Sequence, residues 1–182
     1  MRSLPTQLIG PRLLAPAVHG DERGFFLETY RQSALFAIGI DVDFVQDNHS
    51  RSRRGVVRGM HFQRGQVKLV RSVRGAIFDV VVDLRRGSPQ FGRWEGFVLD
   101  DAEHRQVLVP DGFAHGFVTL SDVADIVYKV STYYDPGSEG GFRFDDPAVG
   151  IEWPEGLELI PSQRDVSAPL LAQIAPSLPF AI

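Results

Sequence analysis

Cysteine is absent from this chain of 182 residues. That excludes disulfides, thiolate metal sites and a cysteine nucleophile, and it fits a cytoplasmic setting. Positive charge is not in excess: 19 Lys and Arg face 23 Asp and Glu, a formal net charge of -4. With a pI near 5.7, this argues against a general nucleic-acid binder. No apolar run approaches the ~20 residues of a membrane helix. Met1-Arg2-Ser3-Leu4-Pro5 leads into nothing that reads as a signal peptide. There is no dinucleotide-binding glycine fingerprint, internal repeat or low-complexity linker. The remainder, 43% apolar, is an ordinary globular composition. One domain over residues 1–182 is therefore expected.

Most of the chain reads as β-structure. Pro5, Pro11 and Pro16 exclude a helix from residues 1–18 and suit an edge strand or an extended arm that packs on a partner subunit. A turn at Asp21–Gly24 feeds a short strand to about Glu28. Residues 29–38 have helical composition, with Gly39 at the C-terminal cap. Period-two alternation then begins at Val42, and Arg51–Gly55 reads as a basic loop. Strands are predicted at 56–62, 67–73, 76–84, 94–99, 105–109, 115–119 and 125–134, separated by Gly, Pro and Asp turns. Residues 135–165 read as irregular, with one short helix near 168–174. Many short strands at this spacing mean a sandwich or barrel.

Polar residues with chemical potential fall inside these strands. Arg58-Gly59-Met60-His61-Phe62-Gln63 and Lys68-Leu69-Val70-Arg71 carry a histidine, a glutamine, a lysine and two arginines. Histidine suits general-base work at neutral pH, and a lysine can stand beside an oxyanion. Strand parity puts Gly59, His61 and Gln63 on one face and Arg58 on the other. For Arg58 and His61 to line one pocket, the strand must bulge at Gly59. By the same parity Tyr128, Val130, Thr132 and Tyr134 share a face. Pro110-Asp111-Gly112-Phe113-Ala114-His115 fits the Pro-x-Gly-x-x-His motif of cupins. Taken alone, it could equally be a turn followed by a core histidine. The other cupin motif normally supplies His-x-His and a glutamate to a metal. Here Gln63 replaces the second histidine, and Lys68 stands near the glutamate position. An ammonium has no lone pair to give a cation, so no metal is expected.

The chain resembles the dTDP-4-dehydrorhamnose 3,5-epimerase family of metal-free cupins over nearly its whole length. The matching blocks include Gly20–Phe26, Phe44–Ser50, Arg58–Gln63, Lys68–Arg71, Phe78–Val80, Val82–Arg85, Gly112–Phe117, Tyr128-Lys129, Tyr133-Tyr134, Ser138–Gly140 and Gly150–Pro154. The resemblance implies a mainly β, jelly-roll barrel with a few short helices, no cofactor, a homodimer and a dTDP-4-keto-6-deoxy sugar as substrate. It implies His61 as base, Asp165 as the carboxylate that orients it, Tyr128 as the opposed acid, and Lys68 at the sugar C4 oxygen. It places Arg58 and His115 near the substrate, and Arg23, Glu28, Gln46, Asn48 and Glu139 at the nucleotide and phosphates. Tyr134 would stack on thymine. Two departures are visible: a shorter loop between Gln63 and Lys68, and Arg164 where the family often has lysine.

The implied chemistry is epimerisation at C3 and C5 of dTDP-4-dehydro-6-deoxy-D-glucose. A 4-ketone acidifies both C–H bonds, so the reaction needs a base, an opposed acid and a cation at the enolate oxygen. Three alternatives are a mono-epimerase of a related sugar, a metal-dependent cupin oxygenase and a non-catalytic sugar-nucleotide-binding module. Gln63 and Lys68 speak against the oxygenase, and the complete set His61, Lys68 and Tyr128 against the binding module.

Overall fold

The computed structural model describes residues 1–182. In chain order the strands are β1 (Arg2–Leu4), β2 (Arg12–Ala15), β3 (Val18–Asp21), β4 (Gly24–Leu27), β5 (Gln46–Arg53), β6 (Val57–Gln63) and β7 (Lys68–Arg74). They continue as β8 (Ala76–Asp83), β9 (Trp94–Asp100), β10 (Gln106–Val109), β11 (Phe113–Thr119), β12 (Val123–Val130) and β13 (Glu139–Gly141). Three short helices follow the same order: α1 (Gln32–Phe36), α2 (Gln163–Val166) and α3 (Leu171–Ile174). A six-stranded sheet, β1-β2-β10-β7-β12-β5, faces a five-stranded one, β13-β6-β11-β8-β9, and all their strand pairs are antiparallel. This is the jelly-roll barrel of the cupins.

Alternation explains the layers. Val70 of β7 and Ile126 of β12 point inward, against Ile77 and Val81 of β8 and Phe117 of β11. The opposite faces are covered too, which is why these strands read as continuous apolar runs. Met60, Val80, Val82 and Ala114 pack under Leu171, Leu178 and Phe180 of the C-terminal segment. Leu69 and Leu108 pack under Leu35 of α1 and Ile40. One end of the barrel interior is therefore filled with hydrocarbon, and the other carries the polar side chains of β5, β6, β7, β11 and β12.

Most predicted strands stand within about two residues of the observed bounds, but several local expectations need correction. The helix over 29–38 shortens to Gln32–Phe36, because only Leu35 has a core to enter and Gly39 (φ +80°) closes the turn. The strand expected from Val42 begins at Gln46, where pairing with Val130 of β12 starts. Arg51–Arg53 are not a loop. They complete β5 opposite Val123–Asp125, and the turn comes at Arg54-Gly55. Strand β12 ends at Val130, so Thr132 and Tyr134 leave the strand face shared by Tyr128 and Val130. The helix expected near 168–174 shortens to Leu171–Ile174 and runs into a 3₁₀ turn at Ala175–Ser177. Residues 1–18 take the edge-strand form. β2 pairs with β10 of its own chain and β1 pairs with β2.

The bulge expected at Gly59 is present. His115 pairs with His61, but Phe117 pairs with Arg58, so β6 gains one residue on β11. Gly59 has φ +139°, and a Cβ there would lie 2.6 Å from Gly116 Cα. Neither the dihedral nor the space admits a side chain. Gly59→Ala should therefore lower the unfolding free energy in urea by roughly 2–4 kcal/mol, combining backbone strain with overpacking. Gly65→Ala, at φ +74° with nothing within 4 Å, should cost about 1 kcal/mol, the left-handed penalty alone. Equal effects at the two positions would contradict this reading of the bulge.

Candidate active site

The bulge lets residues of opposite parity face the same space. Arg58 and His61 of β6, Lys68 of β7, His115 of β11 and Tyr128 of β12 line a cavity of about 590 Å³ between the sheets, closed on one side by Ser162, Arg164 and Asp165 around α2. A second cavity of about 220 Å³ adjoins it, lined by Gln46, Asn48, Gln63, Tyr134 and Glu139 among others. Only His61, Lys68 and Tyr128 line both.

His61 Nε2 lies 2.6 Å from Asp165 Oδ1. Asp165 is positioned by its own helix turn. Ser162 caps α2, its hydroxyl accepting from Asp165 N at 3.2 Å and donating to Asp165 Oδ2 at 2.8 Å. The carboxylate thus holds the Nε2 proton of a neutral imidazole, which leaves Nδ1 with the free lone pair. Burial pushes the His61 pKa down, against the opposing pull of Asp165, with Arg164 and Lys68 lowering it further. A neutral imidazole with an uncommitted lone pair is a base in its working form.

Lys68 is shifted down as well, and Tyr128 is shifted up. Burial brings the Lys68 ammonium down to about 8, against the supporting fields of Glu139 and Asp79. Burial raises the Tyr128 pKa, with Arg58 opposing, so the phenol keeps its proton at neutral pH. The pocket therefore presents a base without its proton, an acid with one and a poised cation.

The remaining predicted residues divide into two groups. Arg58 donates Nε–H to Ser52 Oγ at 3.0 Å and has no carboxylate partner. His115 Nε2 bonds Asp79 Oδ2 at 2.7 Å. Gln46 donates to Asn48 Oδ1 at 2.9 Å. Glu139 receives Arg164 and the Tyr134 hydroxyl, each at 3.0 Å. Burial pushes its pKa up, but these bonds outweigh it and hold the group below its usual value. Arg23 and Glu28 are not with them. Arg23 pairs with Asp21 on the β3–β4 hairpin, and Glu28 pairs with Arg31. Both lie outside the two cavities within one chain.

Gln63 has an architectural task. Its amide donates to Thr132 Oγ1 and Tyr133 O and accepts from Asp135 N. Where other cupins use a histidine for a metal, this side chain ties the segment after β12 to β6. No group of three His, Asp or Glu side chains gathers as a metal set. Sequence reasoning gave no role to Asp79 or Ser162. A carboxylate inside the apolar run Ile77–Val82 was the available signal for the first, and the Ser-x-x-Asp cap for the second.

A jelly roll whose motif positions hold an acid–base set belongs, by fold and site, with the proton-transfer cupins. The sequence profile of dTDP-4-dehydrorhamnose 3,5-epimerase matches residues 5–173. The Salmonella typhimurium dTDP-4-dehydrorhamnose 3,5-epimerase is 53% identical over 165 residues, 88% of this chain and 90% of that one. A Streptomyces niveus dTDP-4-dehydrorhamnose 3-epimerase is 46% identical over 177 residues, 95% of this chain and 85% of the relative. The crystal structure of a Legionella pneumophila dTDP-6-deoxy-D-glucose-3,5-epimerase in complex with dTDP-4-keto-L-rhamnose superposes with a TM-score of 0.94, at 44% identity, over 98% of this chain and 97% of that chain. The chain belongs to the dTDP-4-dehydrorhamnose 3,5-epimerase family.

The Lys68 shift carries a stability signature. Its folded pKa of about 8 lies below the ordinary 10.5, so between those values the unfolded chain binds more proton at this site than the folded one. The contribution of Lys68 to stability should rise as pH climbs through that window. The difference in unfolding free energy between wild type and Lys68→Met should therefore increase from pH 8 to pH 10. Parallel curves would place Lys68 in water.

Proposed function

We propose that the protein epimerises dTDP-4-dehydro-6-deoxy-D-glucose at C3 and C5 to dTDP-4-dehydro-L-rhamnose, as a metal-independent cytoplasmic enzyme. The observation that carries this is the junction of the two cavities, where His61, Lys68 and Tyr128 alone meet both. In this reading the nucleotide enters past Gln46, Asn48, Glu139 and Tyr134, with Tyr134 stacked on the thymine. The ketone reaches Lys68. His61 Nδ1 takes the proton from C3 or C5, the enolate charge gathers on the C4 oxygen beside the ammonium, and Tyr128 returns a proton to the opposite ring face. Asp165 stabilises the imidazolium that forms. Arg58 and Arg164 supply positive charge for the diphosphate. No helix is long and apolar enough to cross a membrane.

The active form in this reading is a homodimer. The β3–β4 hairpin pairs with no other strand, and its Phe25 and Phe26 are 60% and 71% exposed. A second copy that covers this hairpin removes apolar surface from water and is the means by which Arg23 and Glu28 could reach a nucleotide site. Replacing Phe25 and Phe26 together with Ser should move the mass in light scattering toward monomer. Wild-type protein that is monomeric at micromolar concentration would contradict the dimer.

Two variants test the proton transfers. His61→Ala should lower turnover by ~10²–10⁴-fold and stop solvent deuterium entering at both C3 and C5. Tyr128→Phe keeps the ring and loses the hydroxyl, so abstraction should continue while the proton returns from the original face. NMR of the sugar protons in D₂O should then show exchange without full inversion. Inversion of both centres at the wild-type rate by Tyr128→Phe would remove Tyr128 from the acid role.

A further inference from the structure

Tyr134 belongs to no strand or helix, yet it lines the second cavity with its ring 60% exposed. Its neighbour Tyr133 lines neither of the two cavities. An open aromatic face beside a polar cavity suits a flat heterocyclic base. In an irregular segment such a ring would sample many rotamers and backbone states, and a ligand would first have to order it.

The segment that carries Tyr134 is held from both sides. Gln63, buried at the end of β6, accepts from Asp135 N at 3.1 Å. It donates to Tyr133 O at 2.9 Å and to Thr132 Oγ1 at 3.1 Å. Tyr133 O and Asp135 N belong to the two peptide groups that flank Tyr134. The backbone fixes the orientation of the amide, because N–H only donates and C=O only accepts. Glu139 lies directly across from Gln63 in the β13–β6 register, and its Oε2 accepts the Tyr134 hydroxyl at 3.0 Å. Two paired residues thus hold Tyr134 at its backbone and at its tip. Upstream, Gln66 donates to Thr132 O at 3.2 Å and Val67 N to Ser131 Oγ at 2.8 Å. The short loop between Gln63 and Lys68 is therefore laced to the same segment.

Building on the epimerase reading, we propose that Gln63 is a positioning residue for nucleotide recognition, holding Tyr134 in advance as the platform on which the base stacks. The position that serves a metal in other cupins then serves the far end of the substrate. A ring ordered before the ligand arrives removes an entropy cost from binding, so the contribution of Gln63 falls on affinity rather than on proton transfer.

The test uses full-length protein and dTDP. Gln63→Met keeps the length of the side chain and removes the amide. Calorimetry should show dTDP binding weakened by roughly tenfold, the scale set by reordering a side chain and its segment. In a Tyr134→Ala background the same substitution should add little further loss, because the platform is already gone. With the keto sugar the effect should appear mainly in KM and less in kcat. A fully additive loss in the Tyr134→Ala background, or unchanged dTDP affinity, overturns the proposal. Should Gln63→Met fail to fold, amide hydrogen exchange of the wild-type protein decides. The Asp135 amide should exchange slowly without ligand and only slightly more slowly with dTDP. Protection that appears only with dTDP would show that the ligand builds the platform, and would overturn the proposal. Wild-type protein that binds dTDP but does not act on the keto sugar would refute the epimerase reading and leave the platform standing. Failure to bind dTDP at all would remove the platform.

Discussion

Two backbones touch where β6 crosses β11, at Gly59 and Gly116, and the pocket follows from that contact. A regular strand sends alternate side chains to opposite faces, so it can give a pocket Arg58 or His61 but not both. The extra residue in β6 resets the phase, and both side chains enter the barrel. Met60, between them, is sent to the outer layer beneath the C-terminal segment. That segment also carries Asp165, so the layer that covers Met60 brings the carboxylate to His61. One irregularity thus shapes the pocket and helps seat the lid behind it.

The electrostatics depend on burial acting with opposite consequences on different groups. Desolvation disfavours charge, so it lowers His61 and Lys68 and raises Tyr128. For a base this is preparation, because the imidazole stays neutral. For a phenolic acid it is also preparation, because the proton stays on. For the lysine it works against function, since an enolate needs an ammonium. The fields of Glu139 and Asp79 oppose that loss.

Much of this was legible in the sequence. The strand pattern shows because turns of Gly, Pro and Asp punctuate apolar runs, and the need for a bulge at Gly59 follows from parity alone. The link between His61 and Asp165 spans 104 residues, so no spacing argument could find it, and only the resemblance suggested it. Arg23 and Glu28 show the converse. The resemblance put them at the nucleotide, yet the chain holds Arg23 on the β3–β4 hairpin and Glu28 beside Arg31, away from both cavities. Asp79 is one carboxylate inside an apolar strand, and its bond to His115 shows only in the fold. The helix over 29–38 was overestimated because composition does not show that only Leu35 finds a core.

The central claim is that one base, one opposed acid and one cation act on both carbons beside the ketone. The most direct measurement is a proton NMR time course of wild-type protein with dTDP-4-dehydro-6-deoxy-D-glucose in D₂O, after removal of divalent ions by chelation. The account predicts that the C3 and C5 protons both disappear and that the product carries inverted configuration at both positions. Exchange confined to one carbon would make the protein a mono-epimerase, and no exchange until a metal is restored would contradict the account.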